Sequence, residues 1–273
     1  MSVQLDFLPR SPLLADLRNL RPREVCALSG KEIEALQVPL GIGDTALGEL
    51  CRVTKSSDGK DELVLAGNSA HCAYIGYRMD GGRLVVDGDA GPFVGAEMSA
   101  GSLQVLGNAG DCAGAAMNGG RLWIRGNAGD WCGAAQPGQS QGMTGGTLLV
   151  DGNVGKEAGS GMRRGLLVIG GDSGKFLGAH LLAGTIFVCG RTDEGAGLGM
   201  KRGSLVIGKS VCPLPGFRPA GEADPEWLRI YLAWLGRMEL PLPHGWNGEP
   251  PDRFTGDHLV TGKGELQVYE IIE

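Results

Sequence analysis

Residues 101–120 read GSLQVLGNAGDCAGAAMNGG, and this stretch decides the fold of the chain. Its glycine spacing recurs every 19 residues, apart from one interval of 26, in copies that begin at Gly82, Gly101, Gly120, Gly146, Gly165, Gly184 and Gly203. The longer interval holds seven extra residues, 136–142 (QPGQSQG), after which the pattern resumes at Met143. A looser copy starts at Asp61. A fixed period of this length indicates a stack of similar structural units.

Each copy contains one short segment of alternating apolar residues. In residues 101–107 these are Leu103 and Val105, and the other copies carry Leu, Ile or Val at both equivalent positions. Alternation with a period of two predicts a strand with one buried face, and so short a strand needs stacked neighbours to bury that face. The sequence therefore predicts an all-β fold, a right-handed parallel β-helix of seven roughly 19-residue coils with α/β flanking segments. A left-handed hexapeptide helix is disfavoured because it requires apolar positions every six residues.

The period defines the predicted domain boundaries. We expect an N-terminal cap region, the glycine-rich array and a C-terminal extension at residues 1–60, 61–208 and 209–273, respectively. A short helix is predicted in the cap region around 31–36. Both flanks are interpreted as caps, because the open edge of a stacked sheet invites aggregation.

The C-terminal extension carries the clearest helix signal of the chain. Asp224 followed by Pro225 is a typical helix start, and Gly236 is a typical stop. These residues predict a helix over 224–236. A final strand is predicted over 266–272.

The overall composition excludes several classes of function. The net charge is −6 and no basic run occurs, which argues against binding of nucleic acid or of an anionic membrane. No apolar run reaches the about 18 residues of a membrane span, and the charged N-terminal segment is unlike a signal peptide. We therefore expect a cytoplasmic protein. Its seven cysteines include no Cys-x-x-Cys pair and are interpreted as buried free thiols.

The array shows no arrangement typical of a catalytic or metal site. Catalytic groups would have to share a position in adjacent copies, because stacked strands lie about 4.8 Å apart. Asp87 and Asp151 share a position, but Leu106 lies between them, and the four histidines share none. A column of Asn and Asp after the second glycine is interpreted as a hydrogen-bonded ladder, and a Met column as core filling. We predict no catalytic, cofactor-binding or metal-binding residue in this chain.

The pattern G-x-[LI]-x-[VI]-x-G-[ND]-x-G-x3-G-x2-M-x2-G, which residues 101–120 carry in full, resembles the glycine-rich β-helix of the C subunit of formylmethanofuran dehydrogenase. The same helix ends the large chains of glutamate synthase. The resemblance covers residues 61–208, more than half of the chain. A chain of 273 residues has no room for the glutaminase and flavin-binding domains of a glutamate synthase, so a stand-alone C subunit is the better match.

This resemblance implies a function in one-carbon metabolism and methylotrophy. In methylotrophic bacteria, the family belongs to a formyltransferase/hydrolase complex that converts formyl-tetrahydromethanopterin to formate through a formyl-methanofuran-type intermediate. In methanogens, it belongs to a tungsten or molybdenum formylmethanofuran dehydrogenase. Arg supplies 17 of the 25 basic residues, as in GC-rich bacterial genes, which favours the first complex. A free-standing glutamate-synthase-like domain and an enzyme with its own β-helix site are further alternatives.

The resemblance also implies the partners of the chain. Chemistry in the family is assigned to an amidohydrolase-like subunit with hydrolase metals, to a formyltransferase subunit and to a pterin-type subunit. The carriers of methanofuran and tetrahydromethanopterin type are expected on those partners. The C subunit itself is expected to be a non-catalytic scaffold of the enzyme complex, with no cofactor of its own.

One column of the array is a candidate partner interface. The residue between the two buried positions of each strand points away from the interior, and it is apolar in seven of eight copies. The candidates are Val64, Val85, Trp123, Leu149, Val168, Phe187 and Val206, with Gln104 as the exception. We call this column the outer stripe, and we expect a partner subunit or the apolar segment 226–235 to cover it. Trp123→Glu or Phe187→Glu is expected to leave the repeat core intact but to cause aggregation or loss of a partner.

Two further surfaces are candidates for contacts with other subunits. The inserted loop 136–142 is polar and interrupts an otherwise regular array, which is typical of contact loops. Its candidate residues are Gln136, Pro137, Gln139 and Gln141. A candidate basic patch in the C-terminal half comprises Lys156, Lys175, Arg163, Arg164, Lys201 and Arg202. An acidic partner surface, or the glutamate-rich tail expected of a methanofuran-type carrier, would be attracted to this patch.

Overall fold

The structure, a computed structural model, describes residues 2–8, 13–56, 62–209, 211–221, 226–237 and 250–269. Strands β1 to β17 of the described residues are Ser2–Phe7, Ala15–Asp16, Gln37–Leu40, Gly43–Ala46, Cys51–Ser56, Glu62–Gly67, Cys72–Ala73, Asp80–Asp87, Ala100–Val105, Arg121–Ile124, Thr147–Val150, Leu166–Ile169, Thr185–Val188, Arg202–Ile207, Arg218–Pro219, Asp252–Gly256 and Lys263–Val268. Helices α1 to α4 are Pro22–Ala27, Gly30–Glu34, Leu47–Leu50 and Glu226–Gly236, and Ser69–His71 is a short 3-10 helix.

Thirteen of these strands form one large sheet, in the order β15-β16-β17-β14-β13-β12-β11-β10-β9-β8-β6-β1-β5. All neighbours from β17 to β1 in this order are parallel, whereas β5, β15 and β16 are joined to the ends by antiparallel pairing. Within the array, each strand residue pairs with the residue one repeat away. Leu103 pairs with Leu122, and Leu122 pairs with Leu148 across the inserted loop. Strands β2, β3, β4 and β7 form a separate four-stranded sheet.

The predicted right-handed parallel β-helix of seven coils is wrong as a description of this fold. The described strands form a mixed sheet, and each repeat contributes one strand to it instead of closing into a coil with several sheets. Elsewhere in the repeat, neighbours are joined by isolated parallel bridges such as Ala90 to Ala109, and by backbone hydrogen bonds between turns such as Phe93 N–H to Asp111 O at 2.8 Å. The physical reason lies in the backbone of the turns. Phe93, Gly95 and Glu97 have φ values of 61°, 66° and 54°, and alternate left-handed residues prevent an extended strand.

The interior is filled by the inward residues of the strands and by the methionine column. Leu103 and Val105 are fully buried, as are their equivalents throughout the array. The column of Met79, Met98, Met117, Met143, Met162, Leu181 and Met200 is also fully buried, which confirms the interpretation as core filling. Flexible thioether side chains suit an interior whose strands carry side chains of different shapes.

Glycines let the turns approach the strands from across the core. A Cβ atom on Gly95 would lie 2.8 Å from Leu122 Cδ2, and one on Gly114 would lie 2.7 Å from Leu148 Cδ2. Both glycines also have positive φ. The repeats therefore have two walls on opposite sides of one apolar layer. We call them the strand wall, formed by the strands of the large sheet, and the turn wall, formed by turn segments 92–97, 111–116, 130–133, 156–161, 175–180 and 194–199.

The predicted ladder of Asn and Asp side chains is confirmed. In each step, the backbone N–H of one repeat donates to the side-chain Oδ1 of the preceding repeat. The donor–acceptor distances are 2.6 Å for Asn108 to Asp89, 2.9 Å for Asn127 to Asn108, 2.8 Å for Asn153 to Asn127, and 2.7 Å for both Asp172 to Asn153 and Arg191 to Asp172. The ladder fixes the register of neighbouring repeats at the corner that follows each strand.

The flanks extend the large sheet and add helices. Strand β1 pairs with the first strand of the array and β17 with the last. Helix α2 begins after Ser29 with a capping box to Glu32, near the helix expected at 31–36. Helix α4 and strand β17 occupy the regions of the predicted helix and final strand, whose residues 224–225 and 270–272 lie outside the described residues. The division into 1–60, 61–208 and 209–273 stays a prediction.

Candidate subunit interface

The C-terminal half of the outer stripe is covered by helix α4. Four stripe residues are fully buried there: Leu149, Val168, Phe187 and Val206. The helix contributes three buried leucines to the same cluster, which is separate from the main core: Leu228, Leu232 and Leu235. Their spacing of three and four residues places them on one face of α4. The Phe187 ring also lies 5.6 Å from the ring of Tyr231. In this half, the chain itself covers the stripe.

The described residues leave the N-terminal half of the outer stripe uncovered. Val64, Val85, Gln104 and Trp123 are half-buried, and we call these four residues the open stripe. Leu106, two residues after Gln104 and just beyond the end of β9, is 46% exposed. Beside Val64 and Val85, the exposed edge carries an ion pair of 2.5 Å between Glu62 and Arg83. An apolar centre with a paired, charged rim is the usual anatomy of a surface that binds another protein.

Trp123 lies at the boundary between the covered and the open half. Its Nε1 donates to Asp151 Oδ1 at 2.7 Å, while the Arg125 guanidinium lies 4.4 Å from the ring centroid. Arg125 Nη1 is also 3.2 Å from Asp151 Oδ2, so the three side chains hold one another in place. The indole is therefore fixed before any partner binds, which reduces the entropy cost of binding.

The inserted loop is exposed but anchored at both ends. Residues 137–141 are largely exposed and Gln136 is half-buried. Ala135 N–H, just before the loop, donates to Ser160 O at 3.2 Å, and Gly142 N–H donates to Gly161 O at 2.9 Å, both in the next repeat. Gln139 N–H donates to Gln136 O at 2.8 Å within the loop. The Gln136 Nε2 atom is buried without a hydrogen-bond partner. The loop thus presents a fixed polar ridge, and its contact with another subunit stays a prediction.

The structure divides the candidate basic patch into two groups. Lys156 forms an ion pair of 3.5 Å with Asp130, and Lys175 forms one of 2.5 Å with Glu194. The hydrogen bond to Glu194 raises the pKa of Lys175. Four residues lie exposed at the corners before strands β12 and β14: Arg163, Arg164, Lys201 and Arg202. Any attraction of an acidic partner or carrier tail would therefore depend mainly on these four.

The described residues contain no cluster of metal ligands, and their buried thiols are protonated. No group of three or more His, Cys, Asp or Glu side chains in the described part of the chain could hold a metal ion. Burial raises the pKa of Cys51, Cys72, Cys132 and Cys189 to about 12 and that of Cys112 to about 11. These five thiols are protonated at neutral pH and are poor nucleophiles. The prediction that all seven cysteines are buried is wrong for Cys26, which is half-buried, and for Cys212, which is exposed. No described helix is long and apolar enough to cross a membrane.

The sequence interpretation missed an aromatic surface on the turn wall. Phe93 and Trp131 pack there against Ala96, Cys112 and Ala115, outside the main core. The signal was present in the sequence, because Tyr74, Phe93, Trp131 and Phe176 occupy the same position of their repeats. This aromatic signal is weaker than the signal that predicts the strands, because no regular alternation of apolar residues accompanies the aromatic residues.

These features define a class of protein: a glycine-rich repeat chain with one large sheet and an apolar outer stripe, of which the described part of the chain covers the C-terminal half. No protein-family model matches the chain, and no curated protein does. Among solved structures, it is similar to a chain in the X-ray crystal structure of the formyltransferase/hydrolase complex (FhcABCD) from Methylorubrum extorquens in complex with methylofuran. The two chains are 34% identical, with a TM-score of 0.86, over 97% of this chain and 98% of that chain.

Similarity of this degree over nearly the full length of both chains shows that they belong to one family. The chain belongs to the C-subunit family of formylmethanofuran dehydrogenase, in the branch of the formyltransferase/hydrolase complex. This finding agrees with the resemblance that the glycine-rich repeat carries in the sequence. The neighbouring structure is a multi-subunit complex that is bound to methylofuran.

Proposed function

We propose that this chain is the non-catalytic scaffold subunit of a formyltransferase/hydrolase complex that converts formyl-tetrahydromethanopterin to formate through a formyl-methanofuran-type intermediate. Its partners would be an amidohydrolase-like subunit with hydrolase metals, a formyltransferase subunit and a pterin-type subunit. The observation that carries the proposal is the full-length likeness to a chain of such a complex. That complex holds methylofuran, which supports a methanofuran-type carrier on the partners.

The apolar surface of the open stripe supports the proposed scaffold role. The open stripe provides a rigid apolar surface for a partner, with Trp123 fixed by Asp151 and Arg125. The described residues provide no metal cluster, and the buried thiols are held in the protonated form. Such a chain is suited to holding catalytic subunits together rather than to acting on a substrate.

Omission of this protein from the complex tests the proposed function. We expect the isolated chain to catalyse neither formyl transfer nor formyl hydrolysis. The separated catalytic partners should retain a residual activity in each half-reaction, while the coupled conversion to formate slows because the partners are no longer held together. Rates of both half-reactions and of the coupled reaction, with and without the chain, are the measurement. Complete loss of one half-reaction without the chain, restored by adding it, would assign a catalytic role to the chain.

The open stripe should bind a partner through its apolar centre. Val85→Glu and Trp123→Glu are each expected to weaken association with that partner at least tenfold, because a charge would be desolvated at the interface centre. Tenfold corresponds to about 1.4 kcal/mol. The affinity is measured with the purified partner subunits, and circular dichroism checks the fold.

The matched control for these variants is Gln37→Glu. It adds the same charge on an exposed residue of β3 in the separate four-stranded sheet. This variant should assemble with wild-type affinity. If both stripe variants fold and also assemble with wild-type affinity, the open stripe is not an interface.

A further inference from the structure

A cleft lies between helix α4 and the beginnings of strands β11 and β12. It has a volume of about 480 Å³ and opens to solvent along one side. We call it the α4 cleft, and it is lined by Gly146, Thr147, Gly165, Leu166, Ile230, Tyr231 and Trp234. The two glycines leave the strand side of the cleft without large side chains. Helix α4 thus covers part of the outer stripe but leaves a space beside it.

The helix side of the α4 cleft is apolar and only partly buried. Ile230 is 72% exposed, whereas Tyr231 and Trp234 are half-buried. The three leucines that attach α4 to the outer stripe are not among the lining residues. A pocket for a small ligand usually encloses most of that ligand. An open apolar cleft is better suited to a chain segment that crosses it.

The strand side of the α4 cleft is bordered by three exposed arginines. Arg121 pairs in register with the lining residue Thr147, so both side chains lie on the outer face of the sheet. Arg163 and Arg164 directly precede the lining residue Gly165. All three arginine side chains are exposed. The border of the cleft is therefore positively charged.

These three arginines differ from their neighbours on the same face in having no acidic partner. Arg83 forms an ion pair with Glu62, and Arg125 forms one of 3.2 Å with Asp151. In the described part of the chain, no Asp or Glu forms an ion pair with an arginine at the cleft. The chain as a whole has a net charge of −6. Unpaired cations beside an apolar cleft therefore favour an occupant that brings its own carboxylates.

The corner that carries two of the arginines has a fixed backbone. Arg163 N–H and Arg164 N–H both donate to Met143 O, at 2.9 and 3.3 Å. A guanidinium group binds a carboxylate through two parallel hydrogen bonds. Lys201 and Arg202 are exposed at the equivalent corner two repeats later, about 9.6 Å away. The spacing suits several carboxylates along one segment rather than a single anion.

The α4 cleft borders the open stripe. Arg121 at the cleft and Trp123 of the open stripe both lie in β10, two residues apart, and both point away from the interior. A partner on the open stripe would therefore reach the cleft along the same face of the sheet. The related structure is a complex of several different subunits, which supports a heterologous occupant over a second copy of this chain.

We propose that the α4 cleft docks an acidic segment of the partner subunit that binds at the open stripe. The segment places one apolar side chain between Ile230 and Trp234, and its Asp or Glu carboxylates pair with the three arginines at the border. This inference rests on the proposed scaffold function and deepens it, because it gives the chemistry of a second contact with that partner. The open stripe provides the apolar contact, and the cleft provides the charged one.

Reversal of charge at the corner tests the electrostatic part of the proposal. Arg163→Glu/Arg164→Glu is expected to weaken binding of the purified partner subunits by about tenfold or more at low salt. The wild-type affinity should fall as salt rises from about 50 to about 500 mM, and that of the variant should fall less. Arg52→Glu/Arg218→Glu is the matched control, because it makes the same charge change on exposed residues of edge strands β5 and β15. This control should bind like wild type.

A substitution on the exposed side of α4 tests the apolar part. Ile230→Glu is expected to weaken binding of the partner by about tenfold, because it puts a carboxylate where an acidic segment would pass. Ala233→Glu is the matched control, since it adds the same charge to an exposed residue of the same helix that does not line the cleft. Circular dichroism checks the fold of every variant. Binding within twofold of wild type by both Arg163→Glu/Arg164→Glu and Ile230→Glu would overturn the proposal.

A cross-link in the assembled complex keeps the test valid if a variant fails to fold. Photoreactive benzoylphenylalanine in place of Ile230 is expected to attach to a partner segment that contains several Asp or Glu residues. Attachment to a segment without them, to a second copy of this chain or to a small molecule overturns the proposal. Hydroxyl-radical labelling of wild-type Trp234 should fall at least twofold from the isolated chain to the complex, and unchanged labelling overturns it as well.

Failure of the proposed function is visible in the wild-type protein. A wild-type chain that binds no partner subunit overturns both the scaffold role and the docking at the cleft. A catalytic role of the chain would appear in the activity assay and would contradict the scaffold role alone. A wild-type chain that assembles, with cleft variants that bind equally well, overturns only the docking of an acidic segment at the cleft.

Discussion

Phe187→Glu is expected to detach helix α4 from the large sheet and to lower the free energy of unfolding by about 4 kcal/mol. Phe187 is fully buried between strand β13 and the helix, in contact with the α4 cluster and near the Tyr231 ring. A carboxylate at this position would lose its hydration, and the packing of the ring would be lost as well. Urea unfolding measures the loss of stability, and hydrogen exchange of residues 226–236 measures the detachment.

Two further variants test whether burial beneath α4 is the cause of the expected loss of stability. Val85→Glu alters the equivalent residue of β8 in the open stripe, where we expect a loss below about 1 kcal/mol because the new carboxylate stays hydrated. Phe187→Leu keeps an apolar side chain beneath α4 and should leave the helix docked. Equal losses of stability for Val85→Glu and Phe187→Glu would show that α4 does not cover the stripe as the structure describes.

This expectation differs from the one that the sequence alone supports. In the sequence, Phe187 and Trp123 are equivalent, as outward residues whose replacement would disturb a partner. The structure assigns them to different surroundings, since Phe187 is fully buried beneath α4 whereas Trp123 is only partly buried where it packs against the same cluster. The inward residues Ile186 and Val188 remain buried on the other face of β13. The repeat core should therefore survive Phe187→Glu even though the helix detaches.

The positions of the strands could be predicted because their signal is local. Leu103 and Val105 occupy the second and fourth positions between two glycines, and apolar residues recur at both positions of each copy. Strand, inward face and register follow from these facts together, and the pairing of Leu103 with Leu122 agrees with them. The Asn and Asp ladder could be predicted for the same reason, because a repeated polar residue after a turn glycine has few other partners.

The path of the chain between one strand and the next could not be predicted from the same signal. A period of 19 residues is compatible with several paths between one strand and the next. The choice depends on φ angles at Phe93 and Glu97, residue types that give no warning of a left-handed conformation. The position of α4 was one of two alternatives in the sequence, because an apolar stripe can be covered either by segment 226–235 or by a partner. The structure shows that the helix covers the C-terminal half of the outer stripe. The extent of that cover arises from tertiary contacts that no local pattern specifies.

Gly126→Ala is also expected to lower the free energy of unfolding strongly, because it adds a methyl group where two neighbouring repeats lie very close together beside the Asn and Asp ladder. A Cβ atom on Gly126 would lie 2.6 Å from Asn108 Oδ1 and 2.8 Å from Gly107 O. Real Cβ contacts do not reach such distances, so the repeats would have to move apart. Asn108 Oδ1 would also be displaced from Asn127 N–H, to which it is bonded at 2.9 Å.

The expected loss of unfolding free energy is about 2–4 kcal/mol. Overpacking against a rigid backbone costs about 1–3 kcal/mol, and the broken ladder hydrogen bond adds about 1 kcal/mol. Gly43→Ala is the matched control, because a Cβ atom there would meet nothing within 4 Å and the residue is exposed. Chemical denaturation of the two variants measures the difference, and the control should stay within about 0.5 kcal/mol of wild type.

A double-mutant cycle then identifies the atom responsible. In the background Asn108→Gly, the Oδ1 that a Cβ atom on Gly126 would meet is absent, and only the backbone of Gly107 still opposes it. Gly126→Ala should therefore cost less in this background, by about 1 kcal/mol or more of coupling energy. Purely additive losses would mean that the ladder and the glycine act independently. In that case the glycine after each strand would be required by the neighbouring backbone alone, and the side-chain ladder would not select it.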